Sequence, residues 1–367
     1  MRKVLVSGAA FAATCLAAVC APAGAGATPL PTPTTPAPGT STPTVSPSDG
    51  GTGTPSGTPG TGGTGSASPT EPPSPEAPGA PGASGGSGTT DGVVSAKAVM
   101  VTPRLPKSAT YAYGKAAHQR IDAYWRPSVP KAAPRPAVLV LHGGYWLEGD
   151  KSGWKYFARR LVAQGYVVLS ANYRLAPGAE WPAQRNDSMA ALAFMRKHAK
   201  VWNLDPQRIA VVGSSSGGML ATQLGTYGTG SQRVRGVIAL SPPNNPYLAY
   251  QDGAKADASA TQRKLRRAVV DLVGCTPGPV AVAACWKRVD DANSASHASA
   301  GDAPMLLMHA SGDFVPVTQS TGLASALRAA GVPVTVRVVQ GDMHASDLLN
   351  EEHTYPLILN WLASRLK

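Results

Sequence analysis

The sequence predicts an α/β domain: a mostly parallel central sheet with helices on both faces and a small cap region. Two observations predict it. Short apolar runs recur along the later part of the 367-residue chain, at 137–141, 166–170, 209–212, 234–240, 305–309 and 334–339. Runs of this length rich in Val, Ile and Leu suit strands that are buried on both faces. Between them lie longer segments with helix-like apolar spacing. Such alternation implies parallel pairing through crossover connections.

Residues 111–125 contain alternating apolar positions and read as an early strand pair. Ala137-Val-Leu-Val-Leu141 is the first fully buried strand. A helix is expected over 153–164, a strand over 166–170, and a long amphipathic helix over 183–202. Leu192, Met195, Ala199 and Trp202 recur in that helix near helical spacing. Asp205-Pro206 marks a turn before the strand that begins at Ile209. Strands follow at 234–240, 305–309 and 334–339. A helix over 318–330 stops at Gly331, and an apolar-faced helix over 355–366 follows the last strand. Residues 242–300 break the rhythm and read as a cap-like excursion. Long excursions in compact domains are often functional, so this one is expected to border the site.

The rest of the chain is of a different kind. Residues 1–27 start with Arg2 and Lys3, continue through a small apolar core and end in Ala25-Gly-Ala27. That is the pattern of a signal peptide, and it is too short for a transmembrane span. Val19 before Cys20 argues against a lipid anchor. Residues 28–92 are dominated by Pro, Gly, Thr and Ser, without Lys, Arg or aromatic residues. They bury too little apolar surface to offset ordering and read as a disordered linker or stalk. The domain is expected to occupy 93–367, in a protein that is secreted or held at the cell wall or surface.

The chain has 33 Lys and Arg against 21 Asp and Glu, a net charge of +12. Only Arg263-Lys264-Leu-Arg266-Arg267 clusters, and it reads as a solvated helix face. No nucleic-acid motif accompanies it, which argues against nucleic acid as a partner. The charge leaves room for weak attraction to anionic wall polymers. Of four cysteines, Cys15 and Cys20 fall in the signal segment. Export into oxidising surroundings predicts a disulfide between the remaining pair, Cys275 and Cys285. Two cysteines alone are too few for a metal site.

The most informative stretch is Ile209-Ala-Val-Val-Gly213-Ser-Ser-Ser-Gly-Gly218. A β-branched run entering Gly-x-Ser-x-Gly, with a helix behind it, is the setting of a nucleophile elbow. Only the middle serine, Ser215, occupies the tip. A serine hydroxyl needs a base, a carboxylate to orient that base, and donors for the oxyanion. His142-Gly-Gly-Tyr-Trp146 directly follows a buried strand. It offers the backbone N–H groups of Gly143, Gly144 and Tyr145, alongside that of Ser216. Asp313 follows the strand 305–309, at the sheet edge where α/β sites form. Among seven histidines, His344 is both loop-borne and placed after the acid. His309 reads as a core group and His142 as a support for the glycine turn. The order Ser215, Asp313, His344 is the one a triad on such a sheet follows.

With these motifs, the chain from 111 to 367 resembles α/β-hydrolase esterases of the His-Gly-Gly-x-Trp type. These include carboxylesterases, feruloyl or acetylxylan esterase-like proteins and kynurenine-formamidase-like enzymes. The matching pieces are His142-Gly-Gly-Tyr-Trp146 with Gly149-Asp-Lys151, Asn172-Tyr-Arg-Leu-Ala-Pro177, and Trp181-Pro-Ala-Gln184 with Asp187. Leu204-Asp-Pro206, Gly213 to Gly218, Asp313-Phe-Val-Pro316 and His344 complete them. Tyr145 stands where hormone-sensitive-lipase-like relatives often carry a third glycine, which places the chain nearer the feruloyl-esterase and formamidase side. The resemblance implies the α/β-hydrolase fold, Ser215, Asp313 and His344 as triad, and amides around Gly144 and Ser216 as oxyanion hole. It implies hydrolysis of small-molecule or polysaccharide-linked carboxylic esters without metal or organic cofactor. An amidase or formamidase would use the same residues, and a non-catalytic surface binding module is the reading from another class.

Overall fold

Buried Val, Ile and Leu runs form the middle of one eight-stranded sheet. The computed structural model describes residues 105–367; the expected signal segment (1–27) and linker (28–92) lie outside the described residues. The strands are β1 (Lys107–Ala112), β2 (Arg120–Trp125), β3 (Arg135–Leu141), β4 (Val167–Ala171), β5 (Leu204–Ser214), β6 (Gly236–Leu240), β7 (Met305–Ala310) and β8 (Val334–Val339). Their order is β1-β2-β4-β3-β5-β6-β7-β8. β1 and β2 form an antiparallel pair, β2 meets β4 antiparallel, and all further pairings are parallel. This is the mostly parallel sheet that the strand–helix alternation implied, in the α/β-hydrolase architecture that the resemblance implied.

Because side chains alternate across a strand, the sheet builds two cores. Leu139, Leu141, Val211, Ala239 and Leu307 face one, and Val138, Val140, Val212, Ile238 and Leu306 face the other. The second face is covered by α1 (Lys155–Ala163) and α10 (Thr354–Leu366). The first carries α2 (Ala183–Lys197), α3 (Ala199–Trp202) and α4 (Ser216–Thr226), then α5 (Gly230–Arg233), α6 (Pro246–Asp252), α7 (Ala260–Val273), α8 (Ala283–Ala292) and α9 (Thr318–Ala329).

Parallel register sets the functional edge. Leu141 lies opposite Gly213, Ser214 opposite Leu240, Leu240 opposite Met308, and Ala310 opposite Val339. The chain therefore leaves β3, β5, β6, β7 and β8 at one level. Their carboxyl-end loops form a single rim.

Three expectations need adjustment. The helix expected over 183–202 breaks at His198 into α2 and α3, and Asn203 ends it in the left-handed region at φ 51°. Asp205-Pro206 does not precede its strand but lies inside β5. The pairing with β3 steps from Arg135–Leu204 to Ala137–Ile209, so residues 205–208 bulge out. The Asp205 carboxylate closes that bulge by accepting from Gln207 N at 2.8 Å and Arg208 Nε at 2.8 Å.

The 242–300 excursion is packed more deeply than a lid. Leu265, Val269, Leu272 and Val273 of α7 join the same core as Leu139 and Met219. Trp181 donates its backbone N–H to Leu272 O at 2.7 Å and its indole N–H to Asp291 at 2.7 Å. The Cys275 and Cys285 sulfurs are within bonding distance, with Cα atoms 5.9 Å apart, in the connection from α7 into α8.

Candidate active site

The glycines of the Gly213-Ser-Ser-Ser-Gly217 turn are there for space. A Cβ on Gly213 would lie 2.1 Å from Gly217 O, and one on Gly217 would lie 2.2 Å from His142 O. With both absent, the chain reverses from β5 into α4 within one residue. That residue is Ser215, at φ 49° and ψ −122°, a region that costs a side-chain-bearing residue about 1–3 kcal/mol. The strained geometry is held by Ser215 N–H donating to Leu240 O at 2.7 Å. It lifts the side chain off the sheet into the rim.

Three expected residues meet there. His344 Nε2 lies 3.0 Å from Ser215 Oγ, and its Nδ1 lies 2.7 Å from Asp313 Oδ1. A neutral imidazole carrying its proton on Nδ1 satisfies both contacts, donating to the carboxylate and accepting from the hydroxyl. Asp313 Oδ1 also accepts from Val315 N at 2.9 Å, which fixes the carboxylate within its own loop. Phe314 packs against the His344 ring, with centroids 4.2 Å apart. The two loops are tied by Gly312 N–H to Gly341 O at 2.7 Å.

The glycine turn sits beside the serine. A Cβ on Gly143 would be 3.1 Å from Ser215 Cβ. Gly144 (φ 122°), Tyr145 (φ 58°) and Trp146 (φ 62°) occupy the left-handed half of backbone space. The turn is closed by the N–H groups of Leu147 and Glu148 on Gly144 O. Among the described residues, the N–H groups of Gly143, Gly144, Tyr145 and Ser216 have no protein acceptor. Ser216 heads α4, so its amide is one of the unpaired donors at a helix start.

His142 supports this turn, as expected. Its ring stacks on Tyr173 with centroids 4.4 Å apart, and Nδ1 lies 2.8 Å from Gly143 O. Burial lowers its pKa and keeps the ring neutral. Tyr173 donates to His142 O at 2.9 Å and lies 3.3 Å from Ser216 Oγ. Ser216 thus adds a hydroxyl contact behind the turn to its backbone N–H. His309 also matches its reading as a core group. It is fully buried, and burial lowers its pKa to about 4. Its nitrogens reach Val315 O at 3.0 Å and Ser320 Oγ at 2.7 Å.

Two contributions escaped the sequence reading. Ser241, the first residue beyond β6, adopts φ 49° and accepts the Ala345 N–H on its hydroxyl at 2.8 Å. It thereby pins the residue next to His344. A lone serine at a strand end was the only hint. The second is the role of Asp150, named above only within Gly149-Asp-Lys151: it accepts from Asn172 Nδ2 at 2.6 Å and Ser152 N at 2.8 Å. Burial pushes its pKa up, but these hydrogen bonds and Lys151 outweigh that and bring it down to about 2. Asn172 belongs to the Asn-Tyr-Arg segment, so that motif braces the cavity wall.

A cavity of about 520 Å³ opens beside Ser215 and His344. Its walls are the Gly143–Tyr145 turn, the aromatic residues Trp154, Tyr156 and Phe157, and the 3₁₀ turn Ala345–Asn350. No residue of 242–300 lines it, which corrects the expectation that this excursion borders the site. The helices of 242–300 bury their apolar faces in the core, and Lys264 of α7 reaches the cavity-lining Tyr145 from outside. Lys264 Nζ lies 4.4 Å from the Tyr145 ring centroid and 2.7 Å from Glu148 Oε1.

Residues 121–327 match the family model described as BD-FAE. The chain belongs to the BD-FAE family. Among curated relatives, the probable carboxylic ester hydrolase LipM of Mycobacterium tuberculosis (strain ATCC 25618 / H37Rv) is 26% identical over 272 residues, covering 68% of this chain and 59% of LipM. Esterase LipC of the same organism is 28% identical over 267 residues, covering 66% of this chain and 61% of LipC. This BD-FAE chain thus spans about three fifths of the length of those relatives. Of solved structures, the carboxylesterase EstE1, cloned from a metagenomic library, superposes with a TM-score of 0.59 at 24% identity, covering 73% of this chain and 92% of EstE1. An acetyl ester-xyloside bifunctional hydrolase from Caldicellulosiruptor lactoaceticus gives 0.56 at 22% identity, covering 72% of this chain and 98% of that one. Both share the α/β-hydrolase fold.

Proposed function

We propose that this BD-FAE chain is an exported serine carboxylesterase that hydrolyses short-chain or aromatic carboxylic esters through an acyl-enzyme. The observation that carries the reading is the relay Asp313–His344–Ser215, with contacts of 2.7 Å and 3.0 Å, at the mouth of the cavity. Ser215 Oγ attacks the ester carbonyl carbon while His344 Nε2 takes the hydroxyl proton. Asp313 holds the imidazole in the required tautomer and stabilises its charge. The negative oxygen of the tetrahedral intermediate lodges against the Ser216 amide and those of the Gly143, Gly144 and Tyr145 turn. His344 returns the proton to the departing alcohol, leaving Ser215 acylated. Water then attacks the acyl carbon, His344 takes its proton, and the acid leaves as the Ser215 hydroxyl is restored.

The ester-hydrolase names of LipM, LipC and EstE1 support the bond class. The aromatic wall of Trp154, Tyr156 and Phe157 suits a flat acyl or alcohol group, and the opening at the rim suits an ester attached to a larger carbohydrate. The signal-like 1–27 and the Cys275–Cys285 pair support export. The test is a panel of acetyl, butyryl, longer-chain and feruloyl esters with acetylated xylan, measured on wild type and Ser215→Ala. The reading requires hydrolysis of at least one ester by wild type and its loss in the variant. Undiminished hydrolysis by Ser215→Ala would overturn it.

A further inference from the structure

At the amino ends of β5 and β6, Arg196, Arg233 and Arg235 line one cavity of about 400 Å³ with Gln207, Ser231 and Gln232. Arg196 comes from the last turn of α2, Arg233 from the end of α5, and Arg235 from the residue before β6. Among the described residues none of the three is in an ion pair. Asp302 is the acid whose charge Arg233 feels, and it is already engaged by Ser299 N at 2.9 Å and Ser299 Oγ at 2.8 Å.

Convergence of like charges without a counter-charge is costly, and the cost is visible. Burial lowers the pKa of Arg196 and of Arg233, and neighbouring cations lower them further: Arg233 acts on Arg196, and Arg185 on Arg233. Backbone carbonyls hold the three guanidinium groups in place. Arg196 donates to Gln232 O and Arg233 O, Arg233 to Tyr227 O, and Arg235 Nε to Gln207 O at 2.9 Å. Donors are left over: both terminal nitrogens of the exposed Arg235 are uncommitted among the described residues.

We propose that this arginine pocket binds a phosphate group, either free or within a phosphodiester. Guanidinium forks suit an anion with several oxygens, each fork donating two parallel N–H bonds. One whole fork, that of Arg235, beside the positive charge of Arg196 and Arg233 around one cavity matches a multiply charged group better than a single planar carboxylate. The cavity also leaves room for the body to which a phosphate is attached. Its place makes it an anchoring site and not part of the ester site. Ser215 lies at the carboxyl end of β5 and the arginines at its amino end, roughly 20 Å apart at about 3.3 Å per residue. A chain held there would leave the Ser215 rim exposed.

The experiment is isothermal titration of the full chain at constant ionic strength with inorganic phosphate, with a glycerol phosphodiester oligomer, and with polygalacturonate as the carboxylate control. Arg235→Gln and Arg235→Glu are the variants, because Arg235 is exposed and makes a single hydrogen bond. Unchanged hydrolysis of p-nitrophenyl acetate and an unchanged unfolding midpoint report that the variants are folded. Wild type should bind phosphate, several-fold more weakly in Arg235→Gln and tenfold or more weakly in Arg235→Glu. Tighter binding of the oligomer assigns the ligand to a polymer, and tighter binding of inorganic phosphate assigns it to the free ion; either upholds the site. No phosphate binding by wild type, equal binding by all three proteins, or preference for polygalacturonate would overturn it.

Discussion

The two edges of the sheet are built differently. At the carboxyl edge, Tyr145, Trp146, Ser215, Ser241 and Ala345 all have positive φ although none is glycine. Each is held by tertiary contacts, such as the Ser241 hydroxyl on Ala345 N–H and Leu240 O on Ser215 N–H. At the amino edge the chain relaxes into ordinary devices: an Asx-closed bulge at Asp205, a left-handed helix end at Asn203, and arginines capping carbonyls. Strain is thus concentrated where side chains must be aimed. Packing between five loops keeps it there.

The sharpest way to break the comparison is to remove the reacting atom. Ser215→Ala should lower kcat/KM for p-nitrophenyl acetate by roughly 10⁴-fold or more, as removal of a member of a concerted triad does. Ser215→Gly should lose as much activity but gain on the order of 1 kcal/mol of stability in urea unfolding, because glycine accepts φ 49°. A variant less stable than wild type would mean that the elbow is not a store of strain.

The next effect is steric. Gly213→Ala places a methyl 2.1 Å from Gly217 O, whereas Gly153→Ala meets nothing within 4 Å. The first should cost roughly 3 kcal/mol and the second should be near neutral, as read by unfolding midpoints. Equal costs would contradict the spatial role of the elbow glycines.

His309, behind the acid loop, gives the pH test. Its pKa is about 4 in the fold, against an ordinary 6.5. Below pH 6.5 the unfolded chain takes up a proton that the native one refuses. Stability should therefore fall as pH drops from 6.5 toward 4, by at most about 3 kcal/mol, and be fully recovered above 6.5. His309→Gln should remove that part of the slope. Parallel slopes for the two proteins would show that His309 does not carry it. The smallest effect belongs to Ser241→Ala. Loss of its hydrogen bond to Ala345 N–H should cost about 1 kcal/mol of stability and lower kcat about tenfold with KM little changed.

The same contrast explains what was legible in the sequence. The buried strands were plain because a parallel sheet core demands apolar runs such as Ala137–Leu141. The elbow was plain because only glycines fit at 213 and 217. The glycine turn, Asp313 and His344 could be named because each follows a readable strand. Ser241 was not legible: its φ and its partner are fixed by loops distant in sequence. The bulge at 205–208 was hidden because Asp-Pro marks a turn whether it lies before a strand or within one. The depth of 242–300 was hidden because α7 is amphipathic under either reading, and only its neighbours decide what its apolar face meets.

The most direct test of the central claim is covalent. Wild-type protein is treated with a fluorophosphonate, digested, and the peptide spanning Gly213–Gly218 is sequenced by mass spectrometry. The account predicts one adduct per chain, on Ser215, and none in His344→Ala. An unlabelled wild type, or an adduct on Ser214 or Ser216, would contradict it.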